Sequence, residues 1–166
     1  NAQLVAFGST RRKGHSVNDD KNLQKLLDVG TKCVSIFGKC SLLHVNKVLN
    51  TTAEENCAMI YDSCQFLKEH KKTVFFDAEH FFDGYKENKA FALKTIQAAN
   101  DGGADYIILC DTNGAAFPAE IYEIVKEVSA LFPGKVGIHT HNDRGMAVAC
   151  SVMAVSAGAV QVQGTF

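Results

Sequence analysis

The sequence predicts an α/β fold in which parallel strands alternate with helices. Short apolar segments recur along the 166 residues and begin about 24 to 40 residues apart. Several carry apolar side chains at consecutive positions, which is typical of parallel strands covered on both faces. Segments with a helical period of apolar residues lie between them. Strands that alternate with helices form right-handed βαβ units, so we expect one parallel sheet.

Six predicted strands and five predicted helices follow from these patterns. The strands are Leu4–Phe7, Cys33–Phe37, Thr73–Phe76, Tyr106–Cys110, Val136–His139 and Val160–Val162. The helices are Asn18–Val29, Thr52–Lys68, Asn88–Asn100, Ala119–Leu131 and Gly145–Ala157. A Thr52 to Glu55 capping box opens the second helix, and Pro118 precedes the fourth.

Composition excludes several classes of protein. Lys and Arg number 17 against 18 Asp and Glu, so nothing points to nucleic acid or to an anionic membrane surface as a partner. No segment approaches the roughly 18–20 apolar residues of a membrane span, and no secretory signal is visible. The six cysteines form no CxxC pair and are expected to be buried reduced thiols. These features favour a cytoplasmic protein without nucleic acid or membrane partners.

Two architectures fit this order of elements. One is an open, doubly wound sheet and the other is part of an eight-stranded barrel. A complete barrel usually needs about 200–250 residues, more than this chain has. No glycine-rich phosphate loop follows any predicted strand, which weakens the doubly wound alternative.

Polar residues at strand ends are the candidate site, because chemistry in parallel α/β folds occurs where strands end. His139 and His141 stand two apart after the fifth strand, so both imidazoles project from one face and are predicted to bind a divalent metal. Asn142 and Asp143 follow them and suit capping of the next helix.

The third and fourth strands end in further candidates. Asp77 and Glu79 share a face, and Glu79 is predicted to act as an acid or base or to bind a polar substrate. His80 points the other way and is expected to be structural. Thr112 follows the fourth strand, where its hydroxyl can bind a carboxylate or carbonyl oxygen.

Cations follow the first two strands. The segment Ser9–Lys13 contains three adjacent cations, which suit either an anion site or a solvated loop. Lys39, after the second strand, is interpreted as a surface lysine. Together the strand ends suggest a metal-assisted site that polarises a carbonyl of a small anionic molecule.

Five motifs in order resemble one enzyme family. They are AFGSTRRKG, FDAEHFFDGYKEN, LCDTNG, GIHTHND and VQVQGT. Together they closely resemble the citramalate synthase, 2-isopropylmalate synthase and homocitrate synthase family, with the first two motifs most similar to its citramalate synthase-like branch.

The resemblance implies a TIM-type (β/α)₈ barrel of which residues 1–166 match the third to eighth strands. The family's Arg-Asp pair on its first strand, its Asn metal ligand after the eighth strand and its downstream subdomains have no counterpart here. The chain is therefore expected to be part of a larger catalytic domain, inactive alone, with Asn1 and Ala2 as a vector remnant. Exposed sheet edges favour a homo-oligomer.

The family reaction is a Claisen-type condensation of acetyl-CoA with a 2-oxo acid on a divalent metal. The resemblance implies that His139 and His141 bind the metal (Mn, Mg or Zn). It implies that Glu79 lines the 2-oxo acid pocket and that Thr112 binds the carboxylate. Asp77 lies at a variable pocket position.

The implied product is citramalate from pyruvate, or 2-isopropylmalate from 2-oxoisovalerate, in isoleucine or leucine biosynthesis. Two alternatives remain, a metal-dependent lyase or aldolase of the same barrel class, such as a hydroxymethylglutaryl-CoA lyase, and a non-catalytic barrel domain.

Overall fold

The computed structural model describes residues 2–165, which form six strands and seven helices. Asn1, expected above to belong to a vector remnant, lies outside the described residues. The strands are β1 (Val5–Ser9), β2 (Cys33–Lys39), β3 (Thr73–Glu79), β4 (Tyr106–Asp111), β5 (Val136–Thr140) and β6 (Gln161–Gln163). The helices are α1 (Lys21–Asp28), α2 (Leu42–Lys47), α3 (Ala53–Glu69), α4 (Phe81–Glu87), α5 (Lys89–Asp101), α6 (Pro118–Leu131) and α7 (Ala147–Ser156).

The six strands form one parallel sheet in strictly sequential order, from β1 to β6. In a doubly wound sheet the strand order reverses at a switch point, and no reversal occurs among the described strands. Sequential order is the topology of a (β/α) barrel. The sheet therefore confirms the barrel-type alternative.

The sheet is curved, and its two faces differ. The convex face packs against the helices through fully buried side chains, among them Val34, Ile36, Val74, Phe76, Ile107 and Leu109. On the concave face, Phe7 of β1 and Gln163 of β6 line the same cavity. Residues of both edge strands can border one cavity only if the sheet curls toward closure.

Helices α2 and α4 are the two elements that the sequence analysis did not predict. They contain six and seven residues, which is too short for a clear helical period of apolar residues. A Cβ at Gly84 of α4 would overlap the backbone carbonyl oxygen of Cys40. Glycine therefore allows α4 to pack against the end of β2.

Capping residues fix where two of the predicted helices begin. Helix α1 begins at Lys21, later than predicted, because the Asp20 carboxylate accepts hydrogen bonds from the N–H groups of Asn22 and Leu23. Thr52 caps α3 as predicted, by accepting from the Glu55 N–H at 3.2 Å. The Glu55 carboxylate binds Arg11.

All six cysteines are free and buried, as the sequence predicted. Burial raises the pKa of Cys40 and of Cys64 to about 12. These thiols are therefore packing groups with little thiolate character at neutral pH.

Within the described residues, no helix is both long and apolar enough to cross a membrane.

Apolar side chains are exposed at both edges of the sheet. Leu4, next to β1, is 81% exposed, and Phe7, within β1 and bordering the cavity, is 64% exposed. Val148, Val152 and Val155 of α7 are exposed at the other edge, next to β6. These two surfaces lie where a closed barrel would carry its neighbouring βα units.

Candidate active site

A cavity of about 670 Å³ opens on the concave face of the sheet. All five side chains that the sequence analysis selected line it, together with Gln163. The five are Asp77, Glu79, Thr112, His139 and His141. The alternation of side chains along parallel strands brings them together, since each lies at or just beyond the carboxyl end of β3, β4 or β5.

His139 of β5 and His141, just beyond its end, form an edge-to-face pair. Their ring centroids are 5.1 Å apart and the ring planes are inclined at 67°. His139 is half-buried and His141 is exposed. Burial lowers the pKa of His139, and His141 lowers it further, against the opposing effects of Asp77 and a hydrogen bond with Gln163. The imidazole of His139 is therefore favoured in its neutral form.

The state of His139 fits a metal ligand. Its Nδ1 atom is buried and has no hydrogen-bond partner among residues 2–165. A neutral imidazole with one unpartnered ring nitrogen is the form that binds divalent metals. No group of three or more His, Cys, Asp and Glu side chains in the described part of the chain is arranged to hold a metal ion. The two imidazoles thus offer part of a ligand set.

Asp77 is buried in the cavity wall between two polar neighbours. Its Oδ1 accepts from the Ser35 hydroxyl at 2.8 Å and from Gln163 Nε2 at 3.2 Å. Burial raises the pKa of Asp77, and this effect outweighs the two hydrogen bonds, which lower it.

Glu79 is paired with Lys39, which corrects the interpretation of Lys39 as a surface residue. The two are register partners on β3 and β2, and their side chains form an ion pair. The Lys39 side chain is only 13% exposed. A buried ammonium needs an anionic partner, and Glu79 is the carboxylate within reach.

Thr112 lies at the end of β4, where its hydroxyl oxygen accepts from the backbone N–H of His80 at 2.8 Å. Its side chain borders the cavity, while the His80 imidazole packs outside it against His44. This agrees with the prediction that His80 points away from the other strand-end candidates.

In the basic segment after β1, Arg11 is paired with two carboxylates. The Arg11 guanidinium binds Glu55 at 2.7 Å and Asp62 at 2.8 Å, and its side chain is 8% exposed. The sequence left two alternatives for this segment, an anion site and a solvated loop. Arg11 fits neither of them, because it anchors the end of β1 to α3. Burial opposes its charge, but the two carboxylates raise the pKa of Arg11 overall.

Asn142 has the capping role that the sequence suggested. Its Oδ1 accepts from the N–H of Ala147, the first residue of α7. Asp111 is a turn residue whose carboxylate accepts from the N–H groups of Ala115 and Ala116, each at 3.1 Å.

These groups suit a small oxygen-rich anion. The cavity carries a hydroxyl, an ion pair, a buried carboxyl group and two imidazoles within one concave surface. Such a site can orient a carboxylate and polarise an adjacent carbonyl.

A sequence profile of the HMGL-like family matches residues 9–166. The chain belongs to the HMGL-like family. Its identity is 54% to the (R)-citramalate synthase of Aquifex aeolicus (strain VF5), in an alignment covering 99% of this chain and 31% of that protein. The 2-isopropylmalate synthase of Sulfurisphaera tokodaii is 33% identical, with 92% of this chain and 39% of that protein covered.

The fold of this HMGL-like chain also matches solved structures. The HMG-CoA lyase of Bacillus subtilis superimposes with a TM-score of 0.82 at 22% identity, covering 98% of this chain and 53% of that chain. At this identity the likeness shows the fold alone. The chain spans about a third of the length of the curated relatives it matches.

Two further cavity residues of this HMGL-like chain escaped the sequence analysis, which also interpreted Lys39 as a surface lysine. Ser35 and Gln163 hold Asp77, and Lys39 holds Glu79. Ser35 carried a usable signal, because it is a polar residue inside an otherwise apolar strand. Lys39 and Gln163 carried none, since their partners depend on strand register and sheet curvature.

Proposed function

We propose that the protein containing this chain is a citramalate synthase, which condenses acetyl-CoA with pyruvate. The observation that carries the proposal is the difference in sequence identity between two groups of relatives. Five (R)-citramalate synthases are 45% to 54% identical to it, whereas three 2-isopropylmalate synthases, one of them named as probable, are 33% identical. The assignment as an acetyl-CoA-dependent transferase rests on the same comparison.

The proposed reaction forms one carbon–carbon bond. A base removes a proton from the acetyl-CoA methyl group, and the resulting carbanion attacks the keto carbon of pyruvate. The keto oxygen takes up a proton and becomes the hydroxyl group. Water then cleaves the thioester, which releases CoA and leaves the second carboxylate of citramalate.

Thr112 and Glu79 are proposed as the groups that bind and orient the 2-oxo acid. The Thr112 hydroxyl donates to the substrate carboxylate, and Glu79 borders the same pocket with its charge balanced by Lys39. Asp77 lies deeper and limits the space available for the substrate side chain.

His139 and His141 would hold the divalent metal, with Mn, Mg and Zn as the candidates. When bound, the metal supplies Lewis-acid polarisation of the keto group. The unpartnered Nδ1 of His139 supports this assignment. Gln163 is the register partner of His139 on β6 and lines the same cavity.

The proposal includes a cytoplasmic location and a role in branched-chain amino-acid biosynthesis. It also includes self-association of the protein, which the apolar side chains at both sheet edges support.

Product analysis tests the proposal. Full-length protein is incubated with acetyl-CoA, Mn²⁺ or Mg²⁺ and, in separate reactions, pyruvate, 2-oxoisovalerate or 2-oxoglutarate, and the products are identified by mass spectrometry. We expect citramalate to be the dominant product. Formation of 2-isopropylmalate alone would identify 2-oxoisovalerate, in place of pyruvate, as the substrate. Cleavage of hydroxymethylglutaryl-CoA without any condensation would favour the lyase alternative.

A further inference from the structure

His80 has a backbone conformation that residues with side chains rarely adopt. Its φ of 57° and ψ of 33° lie in the left-handed region, between the end of β3 and the start of α4. Only glycine enters this region freely, while Asn, Asp and His are the side chains that tolerate it best and β-branched residues strongly resist it. A histidine held there implies contacts that outweigh the strain.

Three contacts hold His80 in place. Its imidazole stacks on His44 with ring centroids 3.8 Å apart and planes inclined at 13°. Its Nδ1 lies 3.4 Å from the Asp83 carboxylate. Its backbone N–H donates to Thr112 Oγ1 at 2.8 Å, across 32 residues of sequence. The side chain is 12% exposed and does not line the cavity.

The third contact determines what the Thr112 hydroxyl can do. A hydroxyl group has one donated proton and two accepting lone pairs. The His80 N–H occupies one lone pair, and no described residue accepts the Thr112 proton. The proton therefore remains available to an acceptor in the cavity.

We propose that His80 is a positioning residue for Thr112. Its left-handed backbone aims the N–H at Thr112 Oγ1, which fixes the hydroxyl as a donor toward a carboxylate oxygen in the cavity. The imidazole acts only by securing that conformation through His44 and Asp83. This inference deepens the proposed function, because it rests on a carboxylate as the ligand of Thr112.

Matched variants of the full-length protein separate the backbone from the side chain. His80→Gly, His80→Asn and His80→Val all remove the imidazole, but only valine resists the left-handed region. Thr112→Val removes the hydroxyl and Thr112→Ser retains it. Two quantities are measured for each variant, namely KM and kcat with pyruvate, and the hydrogen-exchange rate of the residue 80 amide.

We expect His80→Val and Thr112→Val to raise the KM for pyruvate by about tenfold or more with a smaller change in kcat, the pattern of lost carboxylate binding. His80→Gly and His80→Asn should keep KM within about threefold of the wild type, and Thr112→Ser should raise KM less than Thr112→Val does. The residue 80 amide should exchange faster in Thr112→Val than in Thr112→Ser.

Two results would overturn the proposal. One is an equal rise in KM for His80→Gly, His80→Asn and His80→Val, which would assign the role to the imidazole. The other is unchanged exchange of the residue 80 amide in Thr112→Val. If the wild type shows no pyruvate-dependent turnover, the proposed function fails separately. The role of His80 is then decided by the exchange rates and by a titration with oxalate. We expect oxalate to bind Thr112→Ser more tightly than Thr112→Val.

Discussion

Gln163 Nε2 donates a hydrogen bond to Asp77 Oδ1 at 3.2 Å, although β4 and β5 lie between the two strands that carry these residues. Neighbouring strands are about 4.8 Å apart, so three spacings across a flat sheet would separate β3 from β6 by about 14 Å. The contact therefore requires a curled sheet. It also explains how polar residues from distant strands come to share one cavity.

Replacing Gln163 should weaken the fold at the β6 edge. We expect Gln163→Ala to lower the free energy of unfolding by about 1 kcal/mol, because Asp77 then loses one of its two hydrogen-bond donors. Urea denaturation measures the loss. Gln161→Ala is the matched control, since the Gln161 side-chain oxygen is buried without a partner among residues 2–165. Equal losses in both variants would contradict this interpretation of the contact.

Lys39 and Glu79 should depend on each other for stability. We expect Lys39→Met alone to lower the free energy of unfolding by about 1–3 kcal/mol, because it leaves a largely buried carboxylate without its cation. The double variant Lys39→Met with Glu79→Gln should recover most of that loss. A double-mutant cycle with a coupling below about 0.5 kcal/mol would show that Lys39 behaves as a surface lysine after all.

Asp20 should make stability depend on pH at the acid end. Burial opposes ionisation of this carboxyl group, but hydrogen bonds from the N–H groups of Arg12, Leu23 and Asn22 outweigh it and lower its pKa below 3.8. A lowered pKa adds stability above pH 3.8, and this contribution disappears as the pH falls through the folded-state value.

The Asp20→Asn variant isolates that contribution. Urea midpoints should differ between wild type and variant at neutral pH, with the wild type more stable, and should converge as the medium becomes more acidic than pH 3.8. A difference that stays constant over this range would mean that the charge of Asp20 contributes nothing.

The apolar edges should drive association of the chain of residues 1–166. Leu4 and Phe7 at one edge and Val148 and Val152 at the other remain exposed, and exposed apolar surfaces of this kind favour association. Light scattering should show oligomers whose mass grows with concentration, and Phe7→Lys with Val152→Lys should reduce them. A monomer at every concentration would be inconsistent with this expectation.

The sequence predicted the fold more completely than it predicted the site. Strands such as Tyr106–Cys110 are continuous apolar runs, so their type and parallel pairing follow from composition alone. The alternation of side chains along a strand is likewise sufficient to predict that Asp77 and Glu79 share one face. Long-range register was needed to find Lys39 opposite Glu79.

The left-handed backbone of His80 carried no sequence signal, because the contact that stabilises it comes from another strand end. Short helices such as α4 were missed for a related reason. Their position depends on packing against Cys40, which local periodicity does not report.

The most direct test of the central claim is the rate of CoA release by the full-length protein with acetyl-CoA and Mn²⁺, measured with and without pyruvate. We expect pyruvate-dependent release, and loss of that release in His139→Ala, which removes a proposed metal ligand. Thr112→Val should retain turnover at a raised KM. Absence of release with pyruvate in a folded wild-type protein, or undiminished release by His139→Ala, would contradict the proposed function.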